Sequence, residues 1–407
     1  MNGNKKILLL IITLLWFVNI QAQEYNNTHN TSDSSIHKEY DLADILHHIF
    51  QKKYPLDSNK ISSKKYNFSF IPGFGYSLQT GWAGAISANV GFKTSNTEVQ
   101  KISSITGSFT YSQYQQTIIS LYSNIWSKNN NLNITSDIKF MHYPSGIFGL
   151  GGKIDPNQNY TINFTGIKFH QTVLKEFSNN FYAGIGYYYD HYWNIQALDS
   201  LKRNVAWRLK HKLGTEELAS GIVLKFLYDS RTNQINPKQG IYANLVYRAN
   251  LKFLGSDEEW QSILSDVRAY FPFPKRSKNI LAFWMFTWLT PSATIAPYLL
   301  IPSTGWDDSY NSGRGYIQGR FRGNNMYYFE TEYRANLTRN GLLGGVLFCN
   351  LEAFSGDLSS TYTSLKPGYG FGVRLKLNKN SGANICLDYG FGQNGSSGIF
   401  VNIGEVF

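Results

Sequence analysis

From about residue 67 onward, apolar and polar residues alternate with a period of two in one segment after another. In the stretch 132–140, every even position except Ser136 is leucine, isoleucine or phenylalanine, and every odd position is polar. Successive side chains of a strand point to opposite faces, so each segment predicts a strand with one apolar and one polar face. Segments of about ten residues with this alternation, separated by turn residues, are typical of a transmembrane β-barrel.

The count of these segments predicts an all-β fold, a sixteen-stranded antiparallel transmembrane β-barrel over residues 67–407. The segments are 67–79, 82–93, 101–113, 116–126, 131–143, 159–170, 180–193, 219–228, 239–251, 259–271, 279–289, 325–337, 343–354, 367–377, 383–391 and 397–407. A soluble β-sandwich would also alternate, but its strands are usually shorter, at ~5–6 residues.

The connections between the segments provide an independent test. The three longest, 144–158, 194–218 and 290–324, all follow odd-numbered segments, and those after even-numbered segments are short. With both ends of the barrel in the periplasm, the long loops face outward and the short turns face inward. This is the pattern of bacterial outer-membrane barrels.

Residues 1–22 predict a secretory signal peptide. Lys5 and Lys6 form a basic start, an apolar run follows from Ile7 to Val18, and Ala22 ends a plausible cleavage site. The apolar run is shorter than the ~20 residues of a membrane-spanning helix, so a retained anchor is the weaker interpretation. We therefore expect export and a location in the bacterial outer membrane.

Residues 23–66 are expected to form a periplasmic N-terminal tail. Within it, residues 41–53 predict a short amphipathic helix, with an apolar face that includes Leu42, Ile45 and Ile49 and with Pro55 closing it. This helix either tethers the tail to the periplasmic rim of the barrel or acts as a plug or a docking element for a partner.

Composition narrows the possible partners. The formal net charge of +11 is high enough to suggest nucleic-acid binding as a function. However, no predicted helix carries a Lys/Arg stripe and no aromatic-basic motif is present. We therefore expect no nucleic-acid partner and interpret the charge as suited to the anionic lipid of the outer membrane. Cys349 and Cys386 fall on strands separated by another strand, too far apart for a disulfide, and no metal or cofactor motif appears.

The stretch 310–325, in the connection after the eleventh segment, has four glycines and three arginines but no acidic residue. Strand alternation supplies inward-facing acceptors elsewhere: the expected partners of Arg314, Arg320 and Arg322 are Glu330, Glu332, Glu352, Asp388 and Asn350. Guanidinium groups suit such acceptors because they stay charged and bind carboxylates in a bidentate manner. Glu352 is the predicted partner of Arg314. The segment 280–289 is apolar on both faces, as expected if a folded-in loop covers its inner face.

Four motifs resemble the outer-membrane assembly and translocation barrels of the BamA/TamA superfamily, the bacterial surface antigen type. They are Arg314-Gly315-Tyr316, the turn 229–240, the segment Phe348–Glu352 and the terminus Ile403–Phe407. The resemblance implies a sixteen-stranded barrel, a loop motif folded into the lumen, a barrel-assembly machinery that inserts the protein, and client membrane proteins. The sequence departs from the family at Asn350 and Glu352. Residues 23–66 are also too short for its periplasmic POTRA domains, so we expect a POTRA-less member or a separate periplasmic subunit.

The first and last segments predict a lateral seam, with Pro72, Gly73 and Gly75 on one side and Gly404 and Phe407 on the other. Proline removes a ladder donor and glycine weakens a strand interior, so this seam is the weakest part of the barrel. An opened edge would template an incoming strand, as the resemblance implies. The other interpretation is that Pro72 is merely tolerated near a strand start.

The resemblance therefore implies a barrel that assists insertion or export of proteins through the seam. The alternative is a passive or gated pore with the loop as its constriction. We expect no enzymatic activity, since no nucleophile elbow, metal triad or phosphate-binding loop appears. Asp190-His191 and Asp307-Asp308 are loose candidates for an outer-membrane hydrolase.

Overall fold

A computed structural model of the chain describes residues 39–42, 44–45, 66–95, 101–151, 160–198, 213–291, 296–308, 310–355, 362–379 and 381–407. Within these residues the protein is all-β, and the strands pair in antiparallel fashion into one sheet. The strands are β1 (Tyr66–Ser77), β2 (Gly81–Phe92), β3 (Ser103–Ser112), β4 (Thr117–Trp126), β5 (Leu132–His142), β6 (Ser145–Ile147), β7 (Tyr160–Ser178), β8 (Phe181–Ala197), β9 (Glu217–Asp229), β10 (Gly240–Asn250), β11 (Trp260–Pro272), β12 (Ile280–Leu289), β13 (Asn325–Asn336), β14 (Leu343–Ser355), β15 (Tyr362–Lys376), β16 (Asn384–Phe391) and β17 (Ser397–Ile403). Short 3₁₀ turns span Lys252–Leu254 and Tyr298–Leu300.

Each of the sixteen predicted segments overlaps one strand of the structure. The additional strand, β6, lies in the predicted loop 144–158 and pairs with β7 beside the end of β5. Strand β7 continues to Ser178, beyond its predicted end at residue 170, because Thr172 and Leu174 continue the buried alternation and the ladder with β8 continues with them. The last segment is shorter than predicted and ends at Ile403.

The sheet is an up-and-down meander in which each strand pairs with the next one in sequence, apart from β5, which pairs with β7 past the short β6. The register is regular; β13 and β14, for example, pair without a bulge from Met326↔Phe354 to Asn336↔Gly344. Among the described residues, no backbone ladder joins β1 to β17. The two strands nevertheless lie side by side, since a Cβ on Gly75 would be 3.0 Å from the carbonyl oxygen of Val401.

The two faces of the sheet differ in chemistry. On β13, Tyr328, Glu330 and Glu332 are buried on the face we call the inner face, whereas Tyr327 and Phe329 are exposed on the outer face. The outer face carries exposed aromatic and aliphatic side chains on strands all along the sheet. Exposed apolar surface that is continuous across many strands suits contact with lipid hydrocarbon better than contact with water. Among helices in the described ranges, none is both long enough and apolar enough to cross a membrane.

The described part of the N-terminal tail lies against two turns of the sheet. Leu42, Asp44 and Ile45 have helical backbone; the rest of the predicted helix and the predicted signal peptide fall outside the described residues. Asp41 and Asp44 cap this start reciprocally, each accepting the other's backbone N–H at 3.0 Å. Lys379, in the turn after β15, donates its Nζ to Asp44 Oδ2 at 2.7 Å and its backbone N–H to Asp41.

Candidate functional site

The described part of the connection between β12 and β13, residues 290–291, 296–308 and 310–324, folds back over the inner face. Its Arg322 forms isolated bridges to Gly151 and Ser303, and its Tyr316 and Phe321 are buried against the sheet. The inward side chains of β12, including Trp284, pack in the same apolar cluster. This packing explains why β12 is apolar on both faces, since its inner face is covered by protein.

Arg314 is the buried charge at the centre of this loop. Its Nη1 lies 2.6 Å from Asp388 Oδ2, and its Nη2 contacts both Glu330 and Glu332. The guanidinium also stacks on Phe348, with 3.7 Å between Cζ and the ring centroid. All four charged side chains are almost completely buried. The loop is therefore joined to β13 and β16 by charge-assisted hydrogen bonds in a dry environment.

The same carboxylates extend the network to two further arginines. Arg334 donates from Nε to Glu332 Oε2 at 2.6 Å, and Arg374 pairs with Asp388. Arg374 Nε also lies 2.9 Å from Glu405, just beyond β17. Three guanidinium groups and four carboxylates thus form one buried cluster, which we call the lumen ion cluster (Arg314, Arg334, Arg374, Glu330, Glu332, Asp388 and Glu405). Removing one member of such a cluster leaves uncompensated buried charge, which is costly.

Glycines on both sides of Arg314 allow its backbone to lie close to the sheet. Gly313 has a φ of +80°, and a Cβ there would be 2.4 Å from Thr304 Cγ2. Gly315 has a φ of +107°, and its Cβ would be 2.6 Å from the carbonyl oxygen of Phe391. Only glycine adopts these conformations without strain and leaves room for the neighbouring chain.

Tyr316 joins the loop to β15 and to the turn before β17 by hydrogen bonds. Its hydroxyl donates to the carbonyl oxygen of Pro367 at 2.7 Å and accepts from the backbone N–H of Gln393 at 2.9 Å. Ser396 donates to the carbonyl oxygen of Gly315 at 2.7 Å. The Arg-Gly-Tyr triplet therefore connects the loop to β13, β15, β16 and the turn before β17.

We predict that Gly315→Ala loosens the loop, because the added methyl group meets the Phe391 carbonyl as well as an unfavourable φ. The matched control is Gly255→Ala, which has a similar positive φ of +100° but open space around its Cβ. In the control, the free energy of unfolding is expected to fall by about 1–2 kcal/mol because of backbone conformation alone. Gly315→Ala is expected to cost roughly 1–3 kcal/mol more from overpacking. Equal thermal shifts in the two purified variants would contradict the close approach.

Glu352 does not bind Arg314, contrary to the prediction from sequence. Its carboxylate accepts from Thr304 Oγ1 at 3.1 Å. The reason is the register, in which Asn350 lies opposite Glu330 and donates its Nδ2 to the backbone oxygen of Arg314 at 3.0 Å. With its backbone held there, Arg314 directs its side chain to Glu330 and Glu332.

Arg320 and Arg322 do not reach the predicted carboxylates either. Arg320 lies over the ring of Phe148, and Arg322 donates from Nη1 to the carbonyl oxygen of Tyr298 at 2.7 Å. The chain turns away from β13 at Gly319, which has a φ of +79° and packs close to the backbone of Gly146. The two arginines therefore lie on the side of the loop nearer β6 and β7.

The last four residues differ from the predicted straight strand. Gly404 has a φ of +94°, and the chain turns there onto the inner face. Phe407 is buried with its ring centroid 5.3 Å from that of Trp284, and its carbonyl oxygen accepts from Arg334 Nη2 at 2.8 Å. Phe407 therefore lies away from the edge of β17, contrary to its predicted place in the seam, whereas Pro72, Gly73 and Gly75 lie on β1 at that edge.

The pairs considered as hydrolase candidates are not arranged for catalysis. Asp190 accepts from His170 at 3.0 Å and pairs with Arg248, while His191 points to the opposite face and contacts Glu216. The Asp307 carboxylate accepts backbone N–H groups of its own turn. In the described part of the chain, no group of three or more potential ligands is placed to hold a metal ion, and both cysteines are free.

Comparison with known proteins places these features in context. Residues 101–407 match the Omp85 superfamily domain. BamA from Haemophilus ducreyi lacking POTRA domains 1–3 is similar in structure, with a TM-score of 0.56 and 14% identity over 84% of this chain and 70% of that chain. A search of the curated proteins found no match.

Two CdiB structures are also similar. CdiB from Acinetobacter baumannii has a TM-score of 0.53 and 14% identity over 84% of this chain and 60% of that chain. CdiB from Escherichia coli has a TM-score of 0.54 and 9% identity over 85% of this chain and 68% of that chain. At these identities the likeness concerns the fold.

Proposed function

Because the chain belongs to the Omp85 superfamily of outer-membrane β-barrels, we propose that it assists the insertion or export of proteins through a seam between β1 and β17. Barrels of this superfamily serve in transport and assembly and do not catalyse a reaction. The observation that carries the proposal is the edge between the first and last strands, because it differs from every other strand boundary in the described sheet.

The seam is supported by the pairing of the strands. Each strand from β1 to β17 is joined by a ladder to the strand beside it, with β5 and β6 both joined to β7, whereas no ladder joins β17 to β1 among the described residues. The outward side chains of β1 are correspondingly less covered: Phe68 is 81% exposed and Phe74 is 71% exposed, against 42% for Phe329 on β13. Pro72 lacks an N–H to donate, and Gly73 and Gly75 weaken the strand interior. An edge of this kind suits pairing with an incoming strand.

The in-folded loop lies close to the same edge from the inner face. Asn311 donates its Nδ2 to the carbonyl oxygen of Val406 at 2.8 Å, and its Oδ1 accepts from Asn402 Nδ2 at 3.2 Å. We infer that the lumen ion cluster holds the loop in place and that the loop in turn positions β17. Opening of the seam would then break contacts to Asn311 before it breaks those to Arg314.

The proposal includes the surroundings of the barrel. Residues 1–22 direct export, the outer-membrane lipid contacts the outer face, and a barrel-assembly machinery inserts the chain. Client membrane proteins, or a separate periplasmic subunit, meet it on the periplasmic side. A gated pore is the second candidate, favoured by partly exposed lysines such as Lys168 and Lys225 on the inner sides of β7 and β9.

Depletion of the protein separates the two candidates. If it assists assembly, outer-membrane proteomics of depleted cells should show a loss of other β-barrel proteins. If it is a pore, the other barrels should stay at their normal levels while solute uptake changes. Unchanged barrel levels in depleted cells would therefore contradict the assembly proposal.

A further inference from the structure

A cavity of about 540 Å³ opens at the end of the sheet where the turns after β9, β11, β13 and β15 meet. We call it the N-terminal mouth, because the described N-terminal segment forms part of its rim. Its charged lining residues are Lys238, Lys278, Arg334, Arg374, Lys376, Lys379, Glu39 and Glu405. Arg334, Arg374 and Lys379 are paired with carboxylates, which leaves Lys238, Lys278 and Lys376 as the uncompensated charges of this lining.

The acidic groups do not neutralise this lining. Glu405 is already held by Arg374 at 2.9 Å. Within the described ranges, Lys238, Lys278 and Lys376 have no carboxylate within ion-pair distance. Three cavity-lining lysines without a carboxylate partner favour an anionic occupant.

The chain's own tail indicates which kind of anion fits. The sequence has three acidic residues here, Glu39, Asp41 and Asp44, and Glu39 and Tyr40 line the mouth. Lys379 binds the carboxylates of both Asp41 and Asp44, and the backbone N–H of Tyr40 donates to the carbonyl oxygen of Asn340 at 3.1 Å. One acidic peptide is therefore already bound at this end, through side-chain and main-chain contacts together.

We propose that the N-terminal mouth is a docking site for an acidic polypeptide segment of a partner protein, which enters the cavity beside the chain's own tail. Carboxylates of the segment pair with Lys238, Lys278 and Lys376. The mouth opens from the inner face and not from the apolar outer face, which suits a polypeptide better than a lipid. The proposal concerns the mouth alone and stands whether or not the seam opens.

The test uses the purified full chain in detergent and a fluorescent deca-glutamate peptide, followed by anisotropy. We expect saturable binding that weakens as salt rises from about 0.05 to 0.3 M, because added ions screen partly exposed charges. Lys238→Glu combined with Lys278→Glu should weaken binding at least tenfold. The matched control combines Lys128→Glu with Lys175→Glu, which makes the same charge change at exposed positions outside the cavity and should leave affinity within about twofold.

Three results would overturn the proposal. They are the absence of saturable binding, an equal loss in the two double variants, and displacement of the peptide by low inorganic phosphate at matched ionic strength. The second would show attraction to net charge alone, and the third would assign the mouth to a small anion. All four exchanged lysines are exposed, so both double variants should keep the thermal stability of the parent.

Discussion

Replacing Arg314 with alanine should destabilise the protein by about 3–5 kcal/mol, the cost of breaking a buried ion pair by removing one partner. Glu330 has no other cation among the described residues, whereas Glu332 and Asp388 keep their second partners, Arg334 and Arg374. The loss should appear as a lower temperature at which the barrel loses its compact electrophoretic mobility. Protease sensitivity within residues 296–324 should rise at the same time, because the loop loses its main ionic contact.

Arg320→Ala is the control for this experiment. It removes the same charge from the same loop, but Arg320 lies over Phe148 and has no carboxylate partner in the described structure. A cation–π contact of this kind is worth about 0.5–1 kcal/mol. If Arg314→Ala and Arg320→Ala shifted the transition equally, the lumen ion cluster would not be what holds the loop.

Locking the seam should have the second large effect, which is a loss of function without a loss of folding. Phe74→Cys combined with Val401→Cys introduces two thiols on the outer faces of β1 and β17, since Phe74 is exposed and Val401 pairs with the exposed Leu387. The two strands approach each other closely one residue away, at Gly75 and Val401, and a gel shift checks that the disulfide forms. Oxidation should join the strands covalently and prevent opening, and reduction should reverse the effect. Cys349 and Cys386, both free in the structure, are replaced by serine so that only the two introduced thiols can form a disulfide.

The control for the lock is Ile86→Cys combined with Phe109→Cys. These residues are directly paired in the ladder of β2 and β3, and both are exposed on the outer face. A disulfide there joins strands that do not need to separate. We therefore expect this pair to leave function unchanged under oxidising conditions.

The alternation of polar and apolar residues was sufficient to locate the strands, because one face meets the loop and lumen and the other is apolar. The family resemblance is confirmed by the match to the Omp85 superfamily domain. Strand ends were harder to predict. The pattern of β7 continues through Thr172 and Leu174 without a turn signal at residue 170, whereas Gly404, a turn signal, was included within a strand.

The choice of partner for Arg314 could not be read from alternation alone. Alternation identifies which side chains face inward but not how far along a strand the loop crosses it. Asn350 binds the backbone oxygen of Arg314, and this contact determines which residues of β13 the guanidinium reaches. Glu405 was missed because its inward direction follows from the turn at Gly404 and not from a strand. Only the register and the backbone conformation contain that information.

The most direct test of the account is outer-membrane proteomics in cells whose only copy of the protein is the seam-locked variant, Phe74→Cys with Val401→Cys. We predict that the levels of other β-barrel proteins fall when the seam disulfide is oxidised and recover when it is reduced. In cells that carry the Ile86→Cys with Phe109→Cys control, those levels should stay at parental values in both states. Normal barrel levels with a fully formed seam disulfide would contradict a function that depends on opening between β1 and β17.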